Sequence, residues 1–70
     1  MFQFLIAKFD QTPDRTVLAN GKPVGVTNHM LLLSAGVYDI SLSGSGYKPA
    51  KQNITLANTT AQRPRIVVFT

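Results

Sequence analysis

Seventy residues allow one domain, 1–70, with a thin core, because at this size burial and chain entropy nearly cancel. Zero cysteines exclude disulfides and thiolate metal sites, and one histidine with three acidic residues leaves little to hold a metal or to run acid–base chemistry. The formal charge is +4, but Lys8, Arg15, Lys22, Lys48, Lys51, Arg63 and Arg65 are scattered rather than gathered into a stripe, so a nucleic-acid partner is not expected.

Phe2 to Phe9 (FQFLIAKF) reads as a first strand, with Phe2, Phe4 and Ile6 on one face and Leu5, Ala7 and Phe9 on the other. A strand that is apolar on both sides lies between layers or against another chain. The stretch is too short to span a membrane and lacks the basic start and small-residue cleavage site of a signal peptide, so the chain as written is expected in the cytoplasm, meeting an envelope only through a partner. Asp10 to Asp14 (DQTPD) is a turn.

Arg15 to Ala19 is the second strand, reversed at Asn20-Gly21 into Lys22 to Val24, where Pro23 predicts a sheet edge and Gly25 a bend or bulge. His29 to Leu33 reads as the next strand. If Leu31 and Leu33 point inward, Met30 and Leu32 point outward as a docking patch on a surface with only 14% charged residues. Ser34-Ala35-Gly36 turns the chain into Val37 to Ser43, where Tyr38, Ile40 and Leu42 alternate with Val37, Asp39, Ser41 and Ser43. After Gly44-Ser45-Gly46, Tyr47 is expected to fold back as a lid. Lys51 to Ala57 alternates again through Ile54 and Leu56. The last strand, Arg63 to Phe69, has Ile66 and Val68 on one side and Val67 and Phe69 on the other. The absence of glutamate, with ten valines and isoleucines, leaves no window that favours helix.

The run from Asn20-Gly21 through Gly25, Thr27, the Leu31 and Leu33 pair and Ala35-Gly36-Val37-Tyr38 to Gly46-Tyr47-Lys48-Pro49 resembles the PEGA domain, over roughly residues 15 to 57. The resemblance implies a small prokaryotic β-sandwich, not known for catalysis, that sits beside other domains as a spacer or contact module. Asn28-His29 departs from the pattern where it has proline and an apolar residue, and Ser34 stands where proline is common.

No Ser, Asp or second His stands at a spacing that would make a triad or metal site with His29, which reads as a partly buried strand residue. Asp10, Asp14 and Asp39 are explained by turns and a solvated face. Gly44-Ser45-Gly46 precedes a strand rather than the helix a phosphate cradle needs. The chain is therefore expected to be a non-catalytic antiparallel β-sandwich of about six or seven short strands with no significant helix and no cofactor. Its expected activity is contact with another protein or with itself through the outward residues Met30, Leu32, Val67 and Phe69. Tyr47, Lys48 and Lys51 offer the alternative, an aromatic and basic rim for a carbohydrate or an anionic polymer.

Overall fold

In the computed structural model, which describes residues 2–70, Asn20 and Gly21 take φ values of 52° and 82°. These are the two left-handed residues of a two-residue hairpin turn whose twist matches that of its strands. The turn joins β2 (Thr16–Ala19) to β3 (Lys22–Val26). Asn20 reaches across to the next strand as well: its amide donates to Asp39 O at 2.9 Å, and its Oδ1 accepts from Asp39 N at 2.9 Å.

The other strands are β1 (Phe2–Phe9), β4 (Leu31–Ser34), β5 (Gly36–Leu42), β6 (Gln52–Leu56) and β7 (Arg65–Phe69), and the described residues form no helix. They make two sheets, one of three strands in the order β4-β1-β7 and one of four in the order β3-β2-β5-β6. The chain crosses between the sheets after β1, β3, β4 and β6, so the product is the β-sandwich expected from the alternation.

One pairing departs from the antiparallel expectation. β1 and β7 run parallel, from Leu5↔Arg65 to Phe9↔Phe69. After β6 the chain arches from one sheet to the other instead of turning back as a hairpin, and this frees β7 to enter beside β1 in the same direction.

The core lies between the sheets. Leu5, Ala7 and Phe9 of β1, Leu31 of β4, and Val67 and Phe69 of β7 face Val17 and Ala19 of β2, Ile40 and Leu42 of β5, and Ile54 and Leu56 of β6. β3 is an edge strand, as Pro23 requires. The register against β2 moves from Val17↔Gly25 to Leu18↔Pro23, so Val24 is the extra residue of a bulge and its side chain packs on the core. Gly25, at φ 155°, lies so close under Leu31 that a Cβ there would overlap Leu31 Cδ2.

Among the described residues, every buried side-chain nitrogen and oxygen has a hydrogen-bond partner. Gln3 Oε1 accepts from Thr59 N at 2.9 Å and from Thr59 Oγ1 at 2.7 Å, while Thr59 Oγ1 accepts from Phe4 N at 2.7 Å. This ties the β6–β7 arch to the start of β1. Thr27, fully buried, accepts from Arg15 N at 3.0 Å and donates to Asp14 Oδ1 at 3.2 Å.

Candidate functional site

A half-buried sheet normally alternates apolar inward with polar outward. The four-stranded sheet does so on its outer face, where Val37 pairs with Thr55 and Asp39 pairs with Asn53, whose Nδ2 donates to Asp39 Oδ1 at 2.9 Å. The outer face of the three-stranded sheet breaks the pattern. On β1 it carries Phe2, Phe4 and Ile6 before its one charged residue, Lys8. On β4, Leu32 stands beside Phe4, and on β7, Ile66 stands beside Ile6 and Val68 beside Lys8. Phe2 is 63% exposed, Leu32 52% and Val68 55%, so no other part of the described chain covers them.

Two of the expected contact residues belong to this face and two do not. Leu32 is on it, and Met30 lies at its rim, just before β4 begins, also exposed. Val67 and Phe69 are core residues instead, 3% and 0% exposed, and the outward pair on that strand is Ile66 and Val68. The cause is register. Val67 and Phe69 stand beside Ala7 and Phe9, whose side chains face the core, so they take the same side. All four residues from Ile66 to Phe69 are apolar, and only the neighbouring strand tells which pair is inside.

The Tyr47 loop is fastened from within. The Tyr47 hydroxyl donates toward Leu42 O at 2.8 Å or Ala50 O at 3.1 Å and accepts from Leu42 N at 3.1 Å. Its ring meets Phe69 edge-on with centroids 5.7 Å apart. Arg15 lies 5.6 Å from the Tyr47 ring centre and 5.2 Å from that of Phe9, and its Nη1 donates to Ser43 O at 3.1 Å and Ser45 O at 2.6 Å. Tyr47 is the lid expected from the sequence, closing the core beside Phe69. Lys48 and Lys51 are exposed beside it, and the Lys48 backbone pairs with Thr70 in both directions, at 2.7 and 2.8 Å.

His29 is exposed rather than partly buried, because Asn28 takes φ 65° and keeps the chain out of the strand until Leu31. Asn28 itself stands in for a strand residue. Its amide donates to Ala7 O at 2.8 Å, its Nδ2 to Phe9 O at 3.0 Å, and its Oδ1 accepts from Phe9 N at 3.0 Å. Left-handed asparagine and its side chain thus shape the corner that proline usually shapes in the pattern. Asp14 accepts a further bond from Asn28 Nδ2 at 2.8 Å, and His29 Nε2 lies 3.4 Å from Asp14 Oδ2.

The bond from Asn28 is the largest influence on the Asp14 carboxyl, and with the lesser effects of Thr27 and His29 it outweighs the opposing desolvation and holds the carboxyl below the ordinary aspartate value. A carboxyl whose pKa is lower in the folded chain stabilises it above the unfolded value, and that contribution disappears as pH falls below about 4. Asn28→Ala is expected to bring the Asp14 pKa back toward the ordinary value. A carbon-detected titration of the carboxyl reads this directly, and an unchanged midpoint would leave the bond without effect.

The turn at Asn20-Gly21, the glycine under Leu31, buried Thr27 and the Tyr47 loop occupy one continuous pattern, and the family model of the PEGA domain matches residues 11–66. The chain belongs to the PEGA domain family. No curated protein and no solved structure matches it. The matched stretch begins after β1 and takes in β2 to β6 and the first residues of β7. Among the described residues of this PEGA domain, no helix is long and apolar enough to cross a membrane and no cluster of His, Cys, Asp or Glu could hold a metal ion.

Proposed function

We propose that this PEGA domain is a non-catalytic interaction module that docks on protein through the outer face of its three-stranded sheet. The observation that carries the reading is the contrast between the two outer faces: one intersperses Val37 with Asp39, Asn53 and Thr55, whereas the other carries apolar residues on all three strands, with Ser34 and Lys8 as its polar positions. A face of this kind left in water lowers solubility, and covering it with another protein surface removes that penalty. Two edge strands, β4 and β7, border the face, so a partner can add backbone hydrogen bonds to the apolar contact.

A photoreactive phenylalanine analogue placed at Leu32, in the middle of the face, tests this in cells. It is expected to yield protein adducts, while the same group at Val37 on the opposite sheet yields none. Equal labelling from both positions, or no adduct from position 32, would remove the reading.

A further inference from the structure

We infer that the surface covering this face is a second copy of the chain, packed face to face about a two-fold axis with the two β1 strands running in opposite directions. The inference rests on the docking reading above and names its occupant. The first support is area. Phe2, Leu32, Ile66 and Val68 are each about half exposed or more and Phe4 and Ile6 partly so, and covering all six on both copies removes at most roughly 1,000 Å² from water, the lower size of a specific interface.

The second support is charge. Lys8 is the one charged residue on the face, and it sits at one end. A partner surface that carried charge across the middle would bury it with nothing to pair with. Another uncharged apolar sheet avoids that loss, and a second copy supplies one despite the net charge of +4, because most of that charge lies elsewhere on the chain.

The third support is shape. The end of the face at Phe2 and Phe4 is bulky, whereas the end at Val68 and Lys8 is lighter and borders an open depression of about 270 Å³ lined by Lys8, Phe9, Asn28 and Val68 among others. Antiparallel β1 strands set the bulky end of each copy over the lighter end of the other and hold the two Lys8 ammonium groups apart at opposite rims. Parallel alignment would oppose the aromatic ends and bring the two lysines together. Two sheets packed in this way lie about 10 Å apart at a small angle.

Sedimentation equilibrium of the full chain tests the inference. The expected mass rises with concentration through the micromolar range from 7.6 kDa toward twice that value. Leu32→Lys and Ile66→Lys are each expected to weaken association by roughly a hundredfold, since each buries an unpaired ammonium, while their circular dichroism and thermal melts stay close to those of the parent chain. Val37→Lys, on the other sheet, is expected to leave association unchanged. A parent chain that stays monomeric throughout, or equal weakening by Val37→Lys, would overturn the second copy as occupant. The photoreactive group at position 32 separates the two failures. A monomer that still gives adducts with a different protein loses the second copy and keeps the docking reading, whereas a monomer with no adducts loses both.

Discussion

Gly25→Ala is expected to lower the melting temperature by roughly 12 °C or more, the shift that about 3 kcal/mol produces in a domain of this size. Two effects add. At φ 155° an alanine is strained whatever space it has, by about 1–3 kcal/mol. Its Cβ would also overlap Leu31 Cδ2, and Leu31 is only 5% exposed, so its side chain cannot swing into water and the core must shift, at a cost of about 1–3 kcal/mol. The two parts separate in a cycle with Leu31→Ala. Truncating Leu31 removes the overlap and leaves the strain, so alanine at 25 should cost distinctly less in that background than in the parent. A melt of Gly25→Ala within a few degrees of the parent would show that the bulge relaxes freely and that the β3–β4 approach is not close.

Phe69→Ala is expected to cost about 3–5 kcal/mol, read from urea unfolding. Phe69 is fully buried, stands beside Phe9 in the parallel ladder and carries the edge-on contact with Tyr47. Its loss leaves a cavity under the Tyr47 loop as well as removing apolar area. A domain of this length has a total stability of only about 4–10 kcal/mol, so the variant is expected to be partly unfolded without denaturant. Ile66→Ala, two strand positions from Val68 on the outward side, is expected to cost less than about 1 kcal/mol in the monomer. The comparison decides which way β7 faces. A small loss at 69 with a large loss at 66 would reverse the strand.

Much of this was legible where residue type alternates. In β5, Ile40 and Leu42 are separated by polar residues, and in β6 Ile54 and Leu56 are as well, so the phase of the strand could be read directly. Asn20-Gly21 and Gly25 announced a turn and a bulge because few other residues tolerate those backbone angles. In β7 the alternation has no phase. Ile66, Val67, Val68 and Phe69 are all apolar, and their facing depends on a parallel register with a strand sixty residues earlier, which no local pattern carries.

The corner at Asn28 and His29 was hidden for a different reason. Asparagine in the left-handed region is one of several conformations open to it, and what selects it is the pair of bonds its side chain makes with Phe9. His29 therefore leaves the strand, and Met30 sits at the rim of the apolar face rather than within it. Tyr47 illustrates the same limit from the other side. An aromatic beside two lysines suits a ligand rim, yet its hydroxyl and ring are engaged by Leu42, Ala50, Phe69 and Arg15, partners that only the folded chain brings together.

The parallel pairing of β1 with β7 also bears on how the chain is born. During synthesis the leading strand emerges long before its last neighbour, and although β4 can shelter one flank midway, the other flank stays open until Phe69 has cleared the ribosome. Such distant pairing slows folding toward the millisecond-to-second range. Nascent chains would thus spend that interval displaying their greasiest segment to whatever holdase or sister polypeptide is nearby.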